Sequence, residues 1–426
     1  MINNITMEYY MYENELINTF DKYFTFPQKE LIKKAKLAAK IASVSLYLVG
    51  GPVRDLFLNR ISNDLDLLIE GEIGRFIIEF NKVLNLKPVQ KSQFETYKYN
   101  VNNNEIDIAL ARTEIYPYPA SLPQIKPSTI NKDLYRRDFT INAIAYRIHP
   151  NPNILVDPLN GKIDIENKVL RIIHGNSFND DPTRIFRAIR YSSRLQFAID
   201  ESTISYINQY RTNIRNLSGH RILNELHKFL LEPNIKESLS FLVEFNILEF
   251  IDNNIPNNDI LIDNIDKLDE FNNYNIDNRI YLMSCLTFNM NEKQLYGLIE
   301  RFVLSKKISL ILKESIDLKR KISYLIRLKK PSTITNIFDK YNKDSLIITS
   351  ILAKHSEFKK IVDTYIYTWS QISPKIKGNE ISKLIKIKNE DLPMLIKKIR
   401  NARLNGVLNS KIQEEEYLKK ISKQIN

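Results

Sequence analysis

The stretch from Ser45 to Ile69 restricts the possible folds of this chain more than any other. It reads SLYLVGGPVRDLFLNRISNDLDLLI, in which two apolar runs flank a glycine pair and a helical turn. In the second run the carboxylates Asp64 and Asp66 alternate with leucines. Successive side chains of a strand point to opposite faces of its sheet, so this pattern predicts a strand with both carboxylates on one face and the leucines in a core.

Two neighbouring carboxylates repel each other unless a cation lies between them. Mg²⁺ is the expected cation, because it prefers carboxylate oxygens and leaves positions open for water and substrate phosphates. Gly50 and Gly51 are the only adjacent glycines among 10 in the chain. Glycine allows backbone N–H groups to approach a phosphate closely, although a tight turn is an equally simple explanation. Together with Arg54 and the Asp-x-Asp pattern, the pair favours phosphoryl-transfer chemistry.

Asp107, in the segment NEIDIALAR, is the candidate for a third carboxylate of the site. It lies between apolar residues in a predicted strand and therefore alternates outward, as the Asp-x-Asp pair does. A solvent-facing strand residue without a function would show the same pattern.

The segment RRDFTINAIAY, Arg136–Tyr146, is the next candidate for substrate binding. Arg136 and Arg137 present forked guanidinium donors suited to triphosphate oxygens. Asp138 is a candidate acceptor for a ribose hydroxyl, and Asn142 a candidate phosphate ligand. The alternative is a surface ion pair between Arg137 and Asp138.

Local patterns predict the elements around these motifs. Four prolines between Ile115 and Ile130 predict a loop over the site. The residues from Leu155 to Ile173 are expected to form a short hairpin, in which Asp157 has a structural role. The other predictions are helices over Gln28–Ala42, Gly71–Leu84 and Leu217–Glu232, the last with Ser218 as N-cap, and strands near Pro88–Val89, Thr96–Val101 and Glu105–Ala111.

The segment DDPTRIFRAIRYSSRLQFAID, from Asp180 onward, predicts a helix with an acidic first turn and an early Pro182. Asp181 and Arg184 are three residues apart and would share a face of that helix. A carboxylate accepts from an exocyclic amine, and a guanidinium donates to a neighbouring ring nitrogen, which is the arrangement that cytosine and adenine present. An ordinary helical salt bridge is the alternative explanation of this pair.

The net charge of +12 and the pI near 9.3 favour a polyanionic partner, with nucleic acid the leading candidate. A proteome rich in lysine would also raise these values. Basic clusters recur in the C-terminal half, where they suit a sequence-independent grip on a phosphate backbone. They comprise Lys306–Lys307, Lys319–Lys321, Arg327–Lys330 and Lys397–Arg403.

Cys285 is the only cysteine, which excludes an internal disulfide and a cysteine-based zinc site and suggests a reducing compartment. No apolar run is long enough for a membrane span, and the N-terminal residues lack the pattern of a signal peptide. A soluble protein of the bacterial cytoplasm or the plastid stroma is therefore expected.

In order and spacing, several motifs resemble the class II tRNA nucleotidyltransferases, which include CCA-adding, CC-adding and A-adding enzymes and bacterial poly(A) polymerases. The resemblance is continuous over about residues 44–232 and weaker over Ile376–Ile421. The motifs are LVGGPVRD with DLDLLI, RRDFTINAIAY, DPLNG, DDPTRIFRAIRYSSRLQF and SGHRILNEL.

The resemblance implies metal binding by Asp64 and Asp66 and nucleotide binding by a larger set. That set comprises Gly50, Gly51 and Arg54 for phosphate, Arg137, Asp138 and Asn142 for ribose and triphosphate, and Asp181, Arg184 and Arg187 on the segment that selects the base. Asp180 stands where the family usually has glutamate. The resemblance also implies tRNA, CTP and ATP as substrates.

The expected fold class is α+β, with a mixed-sheet nucleotidyltransferase head followed by an all-α neck, body and tail. The expected domains are an N-terminal extension (1–28), the catalytic head (29–174), the neck with the base-selecting helix (175–240), the body (241–370) and a tRNA-binding tail (371–426). Template-independent addition of CMP, AMP or both to the tRNA 3′ end is the leading hypothesis. A poly(A) polymerase and a noncatalytic tRNA-binding protein are the alternatives, and the oligomeric state stays open.

Overall fold

A computed structural model describes residues 22–62, 64–101, 104–255, 259–385 and 389–425. They form two compact units. One unit comprises the residues up to 217 together with 224–250, and the other comprises 218–223 and the residues from 251 onward.

The first unit is built on a mixed seven-stranded sheet with the order β3-β4-β5-β2-β1-β8-β9. Only β2 and β5 pair in parallel; the other neighbours are antiparallel. Two smaller sheets pair β6 with β7 and β10 with β11. The strands are β1 (Ser45–Val49), β2 (Asp64–Glu70), β3 (Gln90–Lys91), β4 (Thr96–Val101), β5 (Asn104–Leu110), β6 (Arg112–Ile115), β7 (Gln124–Pro127), β8 (Ala145–His149), β9 (Ile154–Val156), β10 (Val169–Leu170) and β11 (Ala198–Ile199).

Beyond β11, all regular structure of the described residues is helical, which confirms the predicted α+β fold class. The helices are α1 (Phe26–Ala42), α2 (Gly51–Phe57), α3 (Ile73–Leu84), α4 (Ile130–Tyr135), α5 (Gly161–Glu166), α6 (Ser177–Asp180), α7 (Thr183–Leu195), α8 (Glu201–Tyr210), α9 (Gly219–Phe229), α10 (Ile235–Glu244), α11 (Leu248–Ile251), α12 (Asp259–Ile265), α13 (Leu268–Asn272), α14 (Asn278–Thr287), α15 (Glu292–Phe302), α16 (Lys306–Leu325), α17 (Pro331–Phe338), α18 (Lys343–Leu352), α19 (Ser356–Tyr367), α20 (Gly378–Leu384), α21 (Leu392–Leu404) and α22 (Lys411–Ile425). Short 3-10 turns cover Thr140–Asn142, Arg211–Asn216, Trp369–Gln371 and Asn389–Asp391.

Helices α1 and α3 pack against each other beside the sheet. A capping box of Thr25 and Gln28 starts α1, as predicted within two residues. Phe80 of α3 meets Tyr99 of β4 edge to face, with ring centroids 5.3 Å apart, and this contact joins the helix layer to the sheet. One face of the paired strands β2 and β5 is buried, as shown by Leu65, Ile106 and Ile108.

The second unit has a core of its own, which includes Ile381, Leu395, Ile399 and Leu418. Elsewhere in this unit, Cys285 is buried as a free thiol. None of the helices in the described part of the chain combines the length and the apolar composition required to cross a membrane.

Two local predictions were wrong. The proline-rich segment after Ile115 is not a plain loop, because Gln124–Pro127 pairs with Arg112–Ile115 as a hairpin; proline is tolerated since each strand of a two-stranded sheet is an edge strand. The expected hairpin over Leu155–Ile173 is a strand, a helix and a second strand, which pairs in parallel with β11. The strand expected near Pro88–Val89 is present at the adjoining residues Gln90–Lys91.

The turn into α5 follows the predicted role of Asp157, whose carboxylate accepts the backbone N–H of Gly161 at 2.7 Å and that of Lys162 at 2.9 Å. Ser218 lies at the start of α9, where its hydroxyl accepts the N–H of Arg221 at 3.4 Å. Both observations confirm the roles inferred from the sequence.

Gly161→Ala is expected to destabilise the first unit by about 3 kcal/mol, because overpacked sites cost this much when the backbone must move. A Cβ at Gly161 would lie 2.2 Å from the carbonyl oxygen of Thr140. Gly74→Ala is the matched control, since no atom lies within 4 Å of its Cβ position. Urea denaturation measures the effect, and a Gly161→Ala midpoint equal to that of the wild type would contradict it.

Candidate active site

The two parallel strands bring four carboxylates to one face of the sheet. Asp66 of β2 lies directly opposite Asp107 of β5, and Asp64 lies opposite Glu105. Leu65 and Leu67 are buried on the other side of β2. The alternation predicted from the sequence is therefore present, because parallel pairing in register keeps residues of the same parity on one face.

The electrostatics of these carboxylates indicate an uncompensated negative charge. Burial, opposed by the charge of Arg137 and assisted by the charges of Asp107 and Asp64, raises the pKa of Asp66 to about 6. Burial, followed by the charges of Glu105 and Asp107, also raises the pKa of Asp64. Closely spaced carboxylate oxygens of this kind are the donors that a hard divalent cation prefers, so the pair fits such an ion.

Asp107 has a partner of its own. Its Oδ2 accepts from the Lys98 ammonium at 2.7 Å, across the antiparallel pairing of β4 and β5. In the described ranges, no group of three or more His, Cys, Asp or Glu side chains is arranged to hold a metal ion. A role of Asp107 as third ligand stays a prediction.

The glycine pair connects β1 to α2 beside the carboxylates. Gly50 has φ +70°, a conformation that strains residues with a Cβ, and Gly51 is the first residue of α2. A Cβ at Gly50 would lie 3.0 Å from Nη1 of Arg137 and 3.8 Å from Oδ2 of Asp66. The glycine thus leaves space in which a guanidinium and a carboxylate approach the same point.

Asp133 is the residue of this region that sequence reasoning missed. It is fully buried in α4 and accepts from both Arg136 and Arg137. Burial opposes its ionisation, but these two guanidinium groups hold the pKa of Asp133 below its ordinary value. The sequence contained a signal, since Asp133 lies three and four residues before the arginines, the spacing of neighbours on a helix.

Arg136 has two carboxylate partners. It donates to Asp133 Oδ1 at 2.7 Å and to Glu114 Oε1 at 3.1 Å. Its guanidinium is therefore held inside an ion-pair network, whereas Arg137 keeps part of its fork directed to the glycine and carboxylate region.

A second network joins the nucleotide-binding candidates Arg54, Asn142 and Asp138. Arg54 donates to Asn142 Oδ1 at 2.7 Å, and the amide of Asn142 donates to Asp138 Oδ1 at 3.1 Å. All three residues are buried. The predicted residues are thus brought together, with Arg54 orienting the amide of Asn142.

Asp138 is fully hydrogen-bonded within the protein. Its Oδ1 also accepts the backbone N–H of Phe139 at 2.9 Å, and its Oδ2 accepts from Arg187 Nε at 2.7 Å and from Nη2. Despite burial, Arg187 lowers the pKa of Asp138 to about 2. A ribose hydroxyl would have to share an occupied acceptor, so the ribose contact stays a prediction.

Tyr191 is a further residue that the sequence did not single out. Its hydroxyl accepts from Arg187 at 3.1 Å, and its ring meets Phe139 edge to face at 5.8 Å. The guanidinium groups of Arg54 and Arg187 lie 5.7 and 5.4 Å from the ring centroid. Cation–π contacts of this kind let several arginines gather near one site without a carboxylate for each.

The base-selecting segment differs from its prediction in one respect. Helix α7 begins at Thr183, whereas Asp180 ends α6 and Asp181 lies between the two helices in an extended conformation. The expectation that Asp181 and Arg184 share a helix face was therefore wrong. Asp181 Oδ1 instead accepts the N–H and the hydroxyl of Thr183 at 3.0 and 2.6 Å, which fixes the entry into α7.

Arg184 is buried and held by groups from distant parts of the first unit. It donates to Ser177 Oγ at 2.8 Å, to the carbonyl of Arg136 at 2.7 Å and to the Tyr116 hydroxyl at 3.5 Å. Tyr116 follows the hairpin strand β6, and its hydroxyl donates to Glu114 at 2.7 Å. These contacts fix the orientation of the Arg184 guanidinium, which a side chain that reads a base requires.

The basic clusters of the second unit differ in their exposure and in their ion pairs. Lys306, Lys307, Lys397 and Lys398 are exposed. By contrast, Lys319 donates to the Phe288 carbonyl at 3.0 Å, and other members of the clusters form ion pairs inside the unit. These pairs are Arg320 with Glu292, Lys321 with Asp317, Arg400 with Asp339 and Arg403 with Glu414.

Family models and relatives agree with this architecture. Residues 46–171 match the model of the poly(A) polymerase head domain, and residues 196–253 match the probable RNA and SrmB-binding site of polymerase A. An A-adding tRNA nucleotidyltransferase of Halalkalibacterium halodurans is 28% identical over 380 residues, which cover 88% of each chain. An A-adding tRNA nucleotidyltransferase of Aquifex aeolicus is 33% identical over 48% of this chain, which spans 25% of that relative.

A solved structure has the same fold. The Thermotoga maritima CCA-adding enzyme, complexed with tRNA, has a TM-score of 0.77 and 22% identity, with 95% of this chain and 98% of that chain covered. The stretches that match the family models contain the quoted motifs except DDPTRIFRAIRYSSRLQF, most of which lies between them, and the resemblance inferred from the motifs is confirmed. Over these regions the chain is similar to the nucleotidyltransferases that comprise the tRNA nucleotidyltransferases and the bacterial poly(A) polymerases.

Proposed function

We propose that this protein is a template-independent tRNA nucleotidyltransferase, which adds CMP, AMP or both from CTP and ATP to the 3′ end of tRNA. The observation that carries the proposal is the placement of Asp64 and Asp66 on one face of the head sheet, with Asp66 beside Gly50 and Arg137. The similarity to an A-adding enzyme over 88% of both chains supports tRNA as the acceptor.

In the proposed reaction the terminal hydroxyl oxygen of the tRNA attacks the α-phosphorus of the nucleotide. The bond from that phosphorus to the β-phosphate oxygen breaks, pyrophosphate leaves, and the hydroxyl proton is lost to solvent. Asp64 and Asp66 would hold divalent metal, which the family generally uses, and we propose Mg²⁺. When bound, such an ion lowers the pKa of an attacking hydroxyl and neutralises phosphate charge.

The remaining residues have roles in binding. Gly50 and Gly51 allow close approach of the triphosphate, and Arg137 donates to its oxygens. Asp138, Asn142 and Arg54 form one rigid hydrogen-bonded unit with Arg187, which orders the wall of the nucleotide site. The exposed lysines of the second unit suit the tRNA backbone.

The acceptor and the added nucleotide are tested together with three tRNA substrates that end at the discriminator base, at C and at CC. Each is offered CTP and ATP, separately and combined, with Mg²⁺. Addition of A only to the CC substrate identifies an A-adding enzyme, and extension of all three by both nucleotides identifies a CCA-adding enzyme. No incorporation into any substrate contradicts the proposal.

A poly(A) polymerase is the second candidate, because the head-domain model that matches residues 46–171 carries that description. It would make long products from ATP alone on general RNA. The same assay with an unrelated RNA distinguishes the two.

Asp181→Ala is expected to relax the preference for CTP and ATP and to permit UTP or GTP, because the carboxylate that accepts an exocyclic amine is lost. The variant also loses the contact with Thr183, so stability falls by about 1 kcal/mol. Single-nucleotide incorporation with all four nucleotides measures the preference.

The matched control is Asp200→Ala, which removes the side chain that caps α8 in the same unit. It should lose stability but keep the nucleotide preference. An unchanged preference in Asp181→Ala would reduce Asp181 to a structural residue.

A further inference from the structure

The carboxylate of Asp133, in the six-residue helix α4, accepts five hydrogen bonds. Its Oδ1 accepts from the backbone N–H of Arg112 at 3.1 Å and from Arg136 Nε and Nη2 at 3.0 and 2.7 Å. Its Oδ2 accepts from Arg137 Nε and Nη2 at 3.2 and 3.1 Å. One fully buried carboxylate therefore grips the same edge of two consecutive guanidinium groups.

The grip leaves a defined part of Arg137 available. With Nε and Nη2 held by Asp133, Nη1 lies 3.0 Å from the Cβ position of Gly50 and 3.4 Å from the carbonyl oxygen of Asn142. Asp66 Oδ2 lies 3.8 Å from that same Cβ position. The Nη1 end of Arg137, which donates to the carbonyl of Asn142, is thus directed to the carboxylates, and 17% of the side chain is accessible.

Arg136 cannot take over this role. Glu114 holds its other end, and its backbone carbonyl accepts from Arg184. Asp133 is the only carboxylate that the ion pairs and hydrogen bonds of the described chain give to Arg137. Without it, Arg137 would lie beside another guanidinium and would lose the hydrogen-bonded carboxylate that fixes its direction.

We propose that Asp133 is a positioning residue, which fixes Arg137 in the orientation that binds the triphosphate of the incoming nucleotide. The inference rests on the proposed function, because it takes a nucleoside triphosphate as the ligand. It adds a residue that does not itself reach the ligand and acts through the guanidinium it holds.

The test is equilibrium binding of CTP and of ATP, with Mg²⁺, to the full-length protein. Asp133→Asn is expected to raise both dissociation constants about 10- to 100-fold, as the loss of a residue that orients a ligand-binding group does. Glu232→Gln is the control, because Glu232 is also buried and accepts from Arg190 at 2.9 Å in the same unit. It should lower the melting temperature without changing nucleotide affinity.

A double-mutant cycle separates positioning from general damage. If Asp133 acts through Arg137, Asp133→Asn should add little further loss of affinity in an Arg137→Ala background. Additive losses, or wild-type affinity in folded Asp133→Asn, would overturn the inference. Should Asp133→Asn not fold, Asp133→Glu keeps the charge but displaces the oxygens, and wild-type affinity in that variant would overturn it equally.

The outcomes also separate the inference from the function on which it rests. A wild-type protein that binds neither nucleotide contradicts both. Nucleotide binding by the wild type with an unaffected Asp133→Asn contradicts only the positioning role.

Discussion

Asp66→Asn is expected to lower nucleotidyl transfer by about 10³-fold or more while leaving tRNA binding unchanged. Asp66 is more buried than Asp64, and an amide in its place is a poor ligand for a hard cation. Single-turnover incorporation of labelled CTP and ATP measures the transfer. Retained turnover by the purified variant would contradict a catalytic role for this face.

The same variant should be more stable than the wild type at neutral pH without divalent cations. The pKa of Asp66 is about 6, above its ordinary value of 3.8. As pH rises from about 4 to 6 the unfolded chain loses this proton while the folded chain keeps it, so stability falls across that window. Each pKa unit corresponds to about 1.4 kcal/mol, and the asparagine removes this cost.

Melting temperatures with and without Mg²⁺ check both parts of this prediction. Mg²⁺ should raise the melting temperature of the wild type much more than that of Asp66→Asn, because a ligand stabilises the state that binds it. Glu105→Gln is the control, since Glu105 is an exposed carboxylate opposite Asp64 that has no proposed ligand role. An equal response of Asp66→Asn and the wild type to Mg²⁺ would remove Asp66 from the metal site.

The carboxylates on this face of the sheet could be predicted from the sequence, because side chains along a strand alternate between its two faces. Once β2 is a strand, Asp64 and Asp66 must share a face, and Asp107 joins them when the apolar residues that alternate with each carboxylate face the same core. The parallel pairing that places Asp66 opposite Asp107 could not be predicted in this way, because it depends on the order of strands in the sheet.

The start of α7 shows how a local motif can be interpreted one position too early. Asp181 before a proline is typical of a residue that caps a helix from outside, and the structure uses it so. Counting Asp181 as helical placed it on one face with Arg184. The partners of Arg184 are Ser177, Tyr116 and Arg136, and only the tertiary fold brings Tyr116 there from 68 positions away.

Asp138→Asn is expected to lower the free energy of unfolding by about 3 kcal/mol, the cost of leaving a buried charge without its partner. Arg187 would then face an amide in place of the carboxylate that accepts two of its N–H groups. Because the pKa of Asp138 is about 2, below its ordinary 3.8, its stabilising effect is present above pH 4 and is lost as pH falls from 4 to 2. Urea denaturation at pH 7 and at progressively lower pH measures this.

The control for stability is Glu79→Gln, since Glu79 pairs with Lys82 on the exposed surface of α3 and such pairs contribute at most about 1 kcal/mol. A loss in Asp138→Asn no larger than that of the control would contradict the prediction. The pH series adds a second check, because the difference between wild type and variant must shrink only below pH 4.

Asp138→Asn also distinguishes two roles in nucleotide binding. If Asp138 contacts the ribose, the variant should lose its preference for ATP over the deoxyribose analogue. If it acts by holding Arg187 and Asn142, both nucleotides should bind more weakly by the same factor. The occupied acceptors of Asp138 favour the second outcome, since a ribose hydroxyl would compete with hydrogen bonds that are already charge-assisted and buried.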